Sequence, residues 1–551
     1  MLKLLGKLFG SNAEKTIEKV AENPAPLSNQ SAEQLYETAK AAFDAGDSVT
    51  ALDTYLLVLK RDPRHLKALV MLGFLYKERG NHVQAKTYIE QAIQIDDALP
   101  DANYLLGSIA AAGNDAAKMQ QYFRRSLALD PKQEHLYLEF AFAQFQLGQG
   151  EDAIAILMAG LHEYQDHLGM LQYLGNIHLH LKHYSQAYDA YLRATAQQPN
   201  SVELRYNQVI ACMTLVKYDE ALEHLMHIQT LQPEHVMANF EEGMLRLQRG
   251  EYERGWRQFQ WRWKTPALAA AKLKTDKPIW DGSQELKGKT ILVLSEQGFG
   301  DTIQFCRFIP QLKQLGAHIV FVVVPPLLEL MKQVEGVDVL ISNKEALPHF
   351  DFYCELMSLP IGLKITTKNI PLASSYLSSS LFKRQQWEER IQAQGVGLRV
   401  GIVWSGNVHH TNNHMRSIPY ELMRELFCLN AQFTILQKEI SDAERVDLTR
   451  FDHVYFYGDE LGDFTDSAAL VDLMDVVITV DTSIAHLAGA MGKPTWVLLS
   501  FLSDWRWLRD TENSPWYDSV RLFRQGIWRP WTEPIEAVKH ALRARINVEN
   551  N

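Results

Sequence analysis

The segment Ser295–Phe305, SEQGFGDTIQF, has the composition of a ligand-binding turn, because it lies between an apolar run, KTILVLS, and a stretch with a helical pattern. It matches neither standard phosphate-binding pattern. The dinucleotide pattern needs a third glycine where Ile303 stands, and the Walker pattern needs a lysine where Asp301 follows Gly300. What remains is the Asp301 carboxylate, expected at the carboxyl end of a parallel strand, where open α/β sheets place reactive groups. Asp301 could accept a proton, cap the following helix, or do both.

Three further turns follow predicted strands: VWSGNVHHTNNHMRSIP at 403–419, LQKE at 436–439 and VDTSIAHLAGAMGKP at 480–494. In the last of these, a helix is expected to begin near Ile484. The backbone N–H groups of its first turn, Ser483 to His486, would be unpaired at a helix end with partial positive charge, which is an anion site suited to phosphate. Arg416 and Lys438 could supply full positive charges.

The residues that could hold a metal ion do not form a convincing site. No Asp-x-Asp occurs in the chain, so the usual metal clamp for a sugar-nucleotide diphosphate is missing, and a helix end with cationic side chains would replace it. The histidines His409, His410 and His414 have no nearby carboxylate or cysteine, which favours loop hydrogen bonding over metal binding. His486 could be a buried, hydrogen-bonded histidine or part of the anion site. The sequence therefore predicts a metal-independent transferase with an anionic leaving group and no cofactor.

Composition excludes several classes of protein. A chain of 551 residues with 46% hydrophobic and 22% charged residues is typical of a soluble protein with several domains. The formal net charge of −11 argues against a nucleic-acid partner. Four cysteines without a Cys-x-x-Cys pair suggest neither a disulfide framework nor a thiolate metal site. The start, MLKLLGKLFGSNAEK, lacks the features of a signal peptide, and HIVFVVVPPLLEL is too short to span a bilayer. We interpret the start as an amphipathic tail, with contact to a membrane surface as the less favoured alternative. We therefore expect a cytoplasmic protein.

An internal repeat occupies the N-terminal part of the chain. The spacings between Pro63, Pro131, Pro199 and Pro233 are multiples of one common period, about 34 residues. With this period, small residues recur at two positions, with Val209 and Met119 as the exceptions. They are Ala39, Gly73, Gly107, Ala141, Gly175 and Gly243 in the first helix, and Ala51, Ala85, Ala153, Ala187, Ala221 and Gly255 in the second. This pattern resembles the tetratricopeptide repeat, with about seven units over residues 32–265.

Repeats of this kind present a concave surface that suits an extended peptide or a protein partner. Four asparagines of first helices could bind a peptide backbone or lie on a solvated helix face: Asn103, Asn176, Asn207 and Asn239. Trp256, Trp261 and Trp263 are expected to seal the last repeat against the next domain.

From Lys289 onward, short apolar runs alternate with helical stretches, which predicts parallel sheets covered on both faces. The predicted strands are KTILVLS, HIVFVVV, DFYCEL, RVGIVWSG, QFTILQK, HVYFYG, DVVITVD, TWVLLS and VRLFRQ. Because the series breaks near SSYLSSSLFKRQQWEERIQAQGVG, two α/β halves are expected. The predicted organisation is a flexible tail (1–31), the repeats (32–265), a linker (266–288), a first Rossmann-like half (289–390) and a second Rossmann-like half with a returning C-terminal helix (391–551).

Together, GFGDTIQF, VGIVWSGN, HHTNNHMRSIP, LQKE, VDTSIAHLAGAMGKP and DWRWLRDTENSPWY resemble bacterial tetratricopeptide-repeat proteins that end in a heptosyltransferase-like glycosyltransferase domain of the GT-B fold. In heptosyltransferases, the Gly-Asp after the first strand carries the suggested catalytic base, which corresponds to Asp301. Their donor-binding Asp-Thr-Gly-x-x-His corresponds to Asp481, Thr482 and His486, with Ser483 in place of the glycine. Arg416 stands where they have a lysine of the donor site, which keeps the charge and changes the hydrogen-bond geometry.

The resemblance implies an inverting transfer of a sugar from a nucleotide-sugar donor to a hydroxyl group. On that basis, five residues are assigned to the acceptor side or the cleft: Gly298, Gly300, Gln304, Asn407 and His410. The layout is also similar to that of the O-linked N-acetylglucosamine transferase and of flagellin glycosylation enzymes, which implies a protein acceptor held by the repeats, such as flagellin or another surface protein. One alternative is a repeat scaffold with a degenerate transferase domain. A lipopolysaccharide sugar transferase would leave the repeats unexplained.

Overall fold

The computed structural model describes residues 30–371, 374–392, 395–407 and 413–549, so nearly all of the predicted tail at 1–31 lies outside the described residues. The chain divides into two compact units, and the boundary between them falls between Ala211 and Cys212. The described part of the first unit is helical, and the second unit contains both sheets.

The helices of the described residues follow the predicted repeat and alternate between a first and a second helix. Successive first helices begin at a constant spacing, as do successive second helices, and this spacing equals the period of the prolines. The first helices of the repeats are α1 Ala32–Asp44, α3 Leu66–Glu78, α5 Pro100–Ala112, α7 Glu134–Gln146, α9 Leu168–His180, α11 Val202–Thr214 and α13 Val236–Gln248. The second helices are α2 Ser48–Arg61, α4 His82–Ile95, α6 Ala116–Leu129, α8 Gly150–Glu163, α10 Tyr184–Gln197, α12 Tyr218–Leu231 and α14 Tyr252–Phe259. The predicted period of the helical region is confirmed.

The small residues of the repeat let paired helices approach closely. A Cβ atom on Gly175 would lie 2.5 Å from Cε1 of Tyr191, and one on Gly243 would lie 2.6 Å from the backbone nitrogen of Phe259. No side chain fits at such distances unless its neighbour moves. The small positions are therefore contact points between paired helices.

Asparagines of the first helices satisfy polar groups of the repeats themselves. Asn103 is 4% exposed and donates to the carbonyl of Leu99 at 2.8 Å. Asn239 is 5% exposed and donates to the carbonyl of Pro233 at 2.9 Å. Asn176 accepts a hydrogen bond from the hydroxyl of a neighbouring tyrosine. These contacts stabilise helices and their packing, so the asparagines at these positions have structural roles.

The second unit contains two sheets of parallel strands. Their strands are β1 Thr290–Leu294, β2 His318–Val323, β3 Val339–Ser342, β4 Phe352–Glu355, β5 Arg399–Val403, β6 Gln432–Ile435, β7 Val454–Phe456, β8 Val476–Val480, β9 Thr495–Leu499 and β10 Val520–Arg524. All the strands predicted from the sequence are present. The sequence analysis missed β3, whose residues VLIS are mostly half-buried and lie beside glycine and charged residues, so the segment lacks a long apolar run.

The order of the strands determines where a ligand could bind. The first sheet has the order β3-β2-β1-β4, and the second has the order β10-β9-β8-β5-β6-β7. The second order is that of a doubly wound dinucleotide-binding sheet, in which the strand order reverses between two central strands and ligands bind at their carboxyl ends. In this chain those central strands are β5 and β8.

The remaining helices of the described residues connect or flank these strands. They are α15 Phe299–Phe305, α16 Ile309–Gln314, α17 Leu328–Met331, α18 Leu359–Gly362, α19 Leu381–Gln392, α20 Asn413–Arg416, α21 Tyr420–Met423, α22 Asp442–Leu448, α23 Phe464–Asp472, α24 Ser483–Ala490 and α25 Thr532–Glu549. Short 3-10 turns include Gln260–Lys264 and Trp505–Trp507. None of the described helices combines the length and apolar character that crossing a membrane requires.

Two large hydrophobic cores support the sheets, and a smaller cluster that includes Leu292, Val320 and Tyr353 also packs on the first sheet. The larger core joins the first sheet to α14, to α24 and to the tryptophans that follow β9. The smaller core lies between the second sheet and α25, whose Ile535, Val538 and Leu542 are buried. Trp256 on α14 is 1% exposed and donates its indole N–H to the carbonyl of Ile365. The last repeat helix is thus part of the core of the second unit through Trp256, whereas Trp261 and Trp263, for which the sequence predicted the same role, are half-buried.

Candidate functional site

Asp301 lies in the first turn of α15, directly after the turn that follows β1. Gln297 in that turn has φ 59°, a left-handed conformation that is uncommon for a residue other than glycine. The Oδ2 atom of Asp301 accepts a hydrogen bond of 2.7 Å from the backbone N–H of Gly298, so Asp301 does cap the helix. Its Oδ1 atom forms an ion pair of 2.5 Å with Nη2 of Arg506. The cap therefore occupies only one carboxylate oxygen.

Arg506 is the residue of this site that the sequence analysis missed. It lies in the turn Trp505–Trp507 after β9 and is 7% exposed. Its Nε atom donates to Oε1 of Gln304 at 2.7 Å, and its Nη1 atom donates to Asp504 at 2.8 Å. Asp301 and Arg506 are 205 positions apart, so no local pattern signals their contact.

Burial and charge act in opposite directions on Asp301. Burial raises the pKa of the Asp301 carboxyl above its usual value, whereas Arg506 and the N–H of Gly298 lower it. Burial alone would lower the pKa of the Arg506 guanidinium, but the carboxylates of Asp504 and Asp301 raise it, so the cation is retained. A carboxyl group with a raised pKa beside a fixed cation is suited to accept a proton.

The carboxyl ends of β5, β6 and β8 are joined by polar contacts. Arg416 donates from Nη1 to the backbone carbonyl of Asp481 at 3.0 Å, which connects two of the predicted turns. A Cβ on Gly406 would lie 2.6 Å from Nη2 of Arg416, so a side chain there would displace the guanidinium. Gln437 accepts from the N–H of Trp404 at 3.0 Å. An arginine whose guanidinium is fixed by a hydrogen bond therefore lies between β5 and β8, where the strand order reverses.

Asp481 is the second carboxyl of this region with a perturbed pKa. Burial and the neighbouring Asp504 raise the pKa of Asp481 to about 6, against the opposing effect of Arg416 and Arg506. Since Arg506 also pairs with Asp301, its charge acts on carboxyl groups that follow strands of both sheets.

His486 lies near the start of α24 and is 5% exposed. Its Nδ1 atom is 3.0 Å from the hydroxyl of Tyr517, and its ring stacks on Trp507 with 5.3 Å between the ring centres. Burial, together with nearby arginines, lowers the pKa of His486 well below its usual value, so the imidazole is neutral. If Tyr517 donates to Nδ1, the proton of the neutral ring is on Nε2, where it can be donated to an anion.

Thr482 and Ser483 also belong to the predicted anion site. Thr482 is 9% exposed, and its hydroxyl lies 3.1 Å from that of Thr479 at the end of β8. Ser483 is half-buried and is the first residue of α24. The predicted helix start after Thr482 is therefore present.

Gly300 marks a close approach of α15 and α24. A Cβ on Gly300 would lie 2.7 Å from Cδ2 of His486 and 3.4 Å from Cα of Ser483. Any larger residue would therefore displace the histidine ring or push the two helices apart. The first turn of α24, which the sequence predicted as an anion site, faces α15 at this point.

The remaining predicted site residues differ in burial. Gln304 is 0% exposed, and its Nε2 atom has no hydrogen-bond partner within the described ranges. Lys438 and Asn407 are exposed, after the ends of β6 and β5. His409 and His410 lie outside the described residues, and His414 is exposed. No group of three or more potential metal ligands occurs in the part of the chain that the structure describes.

The carboxyl end of the first sheet holds two further acidic residues that the sequence analysis did not single out. Glu296, after β1, forms a bidentate ion pair with Arg262, with distances of 2.9 and 2.7 Å. Glu355, at the end of β4, is 2% exposed, and neither carboxylate oxygen has a hydrogen-bond partner among the described residues. Burial raises the pKa of Glu355. Through its ion pair with Glu296, Arg262 connects the end of the repeats to this sheet.

The fold defines a tetratricopeptide-repeat protein whose N-terminal helical solenoid is followed by a region of parallel sheets. Residues 66–98 and 110–176 match the tetratricopeptide repeat family. Over 512 residues, the chain is 23% identical to Protein FlbA of Caulobacter vibrioides, and the match covers 86% of this chain and 84% of FlbA. The similarity to FlbA therefore includes both the repeats and the sheets.

Further similarities cover a smaller share of the chain. The type IV pilus assembly protein PilF of Pseudomonas aeruginosa is 25% identical over 138 residues, which cover 24% of this chain and 55% of PilF. Among solved structures, YrrB, described as a tetratricopeptide-repeat protein with an unusual peptide-binding site, has a TM-score of 0.30 and 15% identity, and the match covers 34% of this chain and 97% of YrrB. A repeat protein from Cytophaga hutchinsonii has a TM-score of 0.38 and 11% identity, over 44% of this chain and 100% of that one.

Proposed function

We propose that the chain is an inverting, metal-independent glycosyltransferase of the GT-B type. It would move a sugar from a nucleotide-sugar to a hydroxyl group of a protein acceptor. The observation that carries this proposal is the contact of Arg416 with Asp481 at the switch point of the doubly wound second sheet, which is where such sheets bind nucleotides. Asp301 at the end of the first sheet supplies a carboxylate that can act as a base.

The proposed reaction is a single displacement. The acceptor oxygen forms a bond to the anomeric carbon while its proton passes to Asp301. The bond from the anomeric carbon to the phosphate oxygen breaks, and the nucleotide leaves with the electron pair. Arg416 and the first turn of α24, with Thr482, Ser483 and His486, are suited to stabilise the negative charge that develops on the leaving group.

The repeats support a protein acceptor rather than a small one. Tetratricopeptide repeats form a surface for protein partners, and the region contains no predicted catalytic group. The match to FlbA extends over repeats and sheets together, which supports a joint role for the two regions. By the family resemblance, flagellin or another surface protein is the proposed acceptor, and the reaction would take place in the cytoplasm.

Two measurements test this function. Purified full-length protein should hydrolyse or transfer from one member of a panel of nucleotide-sugars, with release of the free nucleotide. Mass spectrometry of surface proteins should show a sugar mass that is lost when the gene is deleted and restored by the parent chain. The proposal is wrong if no nucleotide-sugar binds and the modification pattern does not depend on the chain.

A second candidate function is a repeat scaffold whose sheet region no longer catalyses transfer. The close packing of Gly300 against His486 favours it, because α15 covers part of the turn that would contact a donor phosphate. In that case the chain would bind its protein partner and release no nucleotide from any sugar donor. Nucleotide release in the first assay therefore separates the two functions.

A further inference from the structure

We infer that Arg506 couples donor binding to the release of Asp301. In the absence of an anion, its guanidinium pairs with Asp301; when the donor binds, the same guanidinium contacts the anionic leaving group and Asp301 becomes free to accept a proton. This inference rests on the proposed glycosyltransferase function and adds to it a residue that neither the sequence nor the family resemblance assigned.

The geometry of Arg506 suits such an exchange. Three nitrogens have separate partners: Nε donates to Gln304 at 2.7 Å, Nη1 to Asp504 at 2.8 Å and Nη2 to Asp301 at 2.5 Å. The guanidinium carbon lies over the ring of Trp505, 4.3 Å from its centre. The guanidinium can keep its contacts with Gln304, Asp504 and Trp505 while Nη2 changes partner. The exchange therefore needs little movement of the arginine.

A second observation points to a ligand-binding role at the same place. Gln304 is 0% exposed, and its Nε2 donor has no acceptor within the described ranges. Its Oε1 atom already accepts from Arg506, so the unpaired amide nitrogen on the same carbon lies close to the guanidinium. A buried donor without an acceptor is costly. A phosphate or sugar oxygen that binds beside Arg506 would satisfy it.

Arg506 interacts electrostatically with more than one carboxylate. Asp301, Asp504 and Asp481 all act on it, and Glu296 acts on Asp301. The charge of Arg506 also acts on His486, near the start of α24. Arg506 therefore lies within electrostatic reach of both the proposed base and the proposed phosphate turn.

The exchange has a chemical consequence for the base. A carboxylate in a direct ion pair is a weaker base than one that has lost its partner, because the cation stabilises the ionised form. Moving the cation to the leaving group therefore strengthens Asp301 and stabilises the nucleotide in the same step. A base that is released only when the donor is present would require the donor to bind before the proton is transferred.

The competing explanation is a structural clamp, in which Arg506 holds α15 against the turn after β9 and never contacts a ligand. The two explanations differ in the behaviour of Asp301→Asn. If Asp301 competes with a bound anion for Nη2, neutralising Asp301 should tighten anion binding. If Arg506 is only a clamp, the same change should leave anion binding unchanged or weaken it.

The test is isothermal titration calorimetry on the full-length chain with inorganic pyrophosphate and with ADP, UDP, GDP and CDP as probes. Four variants are compared with the parent: Asp301→Asn, Arg506→Gln, the double variant Asp301→Asn/Arg506→Gln and the control Arg521→Gln. Arg521 is an exposed arginine of the same unit, paired with Glu512 at 3.3 Å. The double variant removes both charges of the Asp301–Arg506 pair, so Asp301 is not left as an unpaired carboxylate if Arg506→Gln alone does not fold. Circular dichroism confirms folding of each variant.

We expect Asp301→Asn to bind its best probe about 3 to 10 times more tightly than the parent, since a competing charged partner is lost. Adding Arg506→Gln in the Asp301→Asn background should weaken binding by about 10 to 100 times, the usual effect of losing a charge-assisted contact to phosphate. Arg521→Gln should leave affinity unchanged. The advantage of Asp301→Asn over the parent should shrink as pH falls, because protonating Asp301 in the parent also frees Arg506.

The outcomes separate this inference from the proposed function. Equal or weaker binding by Asp301→Asn, or no loss on adding Arg506→Gln, overturns the role of Arg506, while a chain that binds nucleotide and transfers sugar keeps the proposed function. Failure of every probe to bind the parent, together with the absence of nucleotide release from sugar donors, overturns both.

Discussion

Buried asparagines of the repeats and charged side chains at the strand ends are used in different ways. In the repeats, Asn103 and Asn239 bond to carbonyls four and six positions away in the sequence. At the strand ends, Arg416 bonds to Asp481 across 65 positions, and Arg506 bonds to Asp301 across 205. Short-range contacts stabilise one helix and its ends, whereas long-range contacts bring charges from separate elements to one place. Asparagines in the repeats are thus poor candidates for recognition, and the charged strand ends are good candidates for chemistry.

The first prediction concerns the proposed base. Asp301→Asn can still accept a hydrogen bond from Gly298, so it should fold normally, but it cannot take up the acceptor proton. The transfer rate should fall by about 10² to 10⁴, the usual range for loss of a positioned base. Transfer is measured with the acceptor identified by mass spectrometry, and Asp301→Glu serves as a variant that keeps the carboxyl group. Near-parental turnover of Asp301→Asn would leave Asp301 with only its capping role. The sequence alone predicts unchanged nucleotide affinity for this variant; the ion pair with Arg506 predicts tighter binding.

The second prediction concerns the repeat helix that packs in the second unit. Trp256 on α14 has its ring centre 5.2 Å from that of Trp505 and 6.0 Å from that of Phe305. Trp256→Ala should lower the free energy of unfolding by about 3 to 5 kcal/mol, because it leaves a large cavity in a packed core. Urea unfolding followed by fluorescence measures the change. Trp261→Ala is the matched control, since Trp261 is only half-buried and should cost less. Equal losses in the two variants would contradict the packing.

The sequence predicted the parts of the molecule that depend on local patterns. The regular period of the repeats and runs such as KTILVLS follow directly from helix packing and strand burial, so the helices and nearly all strands were found. The strand Val339–Ser342 was missed because it is short and half-buried. Arg506 was missed for a different reason: its partners come from distant parts of the chain, and only the fold brings them together. Lys438 was chosen for its position after a strand, yet its side chain is exposed.

The third prediction uses the buried histidine of α24. His486 has a pKa lowered by burial and by Arg506 and Arg307, and it also contacts Tyr517 and Trp507. The unfolded chain takes up a proton at this histidine below about pH 6.5, whereas the folded chain does not. The stability that depends on a neutral His486 is therefore fully present above that pH and is lost as pH falls, at up to about 1.4 kcal/mol per pH unit. Urea unfolding between about pH 7 and about pH 5.5 should show a steeper loss for the parent than for His486→Gln. Parallel curves would show that the folded chain protonates His486 as readily as the unfolded chain.

The fourth prediction returns to the repeats. Asn103→Ala removes one buried hydrogen bond to the carbonyl of Leu99, which also accepts from the backbone N–H of Asn103. The free energy of unfolding should fall by about 1 kcal/mol, and modification of the protein acceptor should be unchanged. Urea unfolding measures the first effect, and mass spectrometry of the acceptor measures the second. A loss of acceptor modification without a loss of stability would assign Asn103 to recognition and weaken the contrast between repeats and strand ends.

The last prediction expects no effect at all. If Arg416, Arg506 and the first turn of α24 stabilise the leaving group, the reaction needs no divalent cation, since these groups supply the charge that Mn²⁺ or Mg²⁺ supplies in metal-dependent transferases. Transfer should therefore continue at the parental rate in excess EDTA. Activity that stops in EDTA and returns only with added Mn²⁺ or Mg²⁺ would contradict the charge assignment.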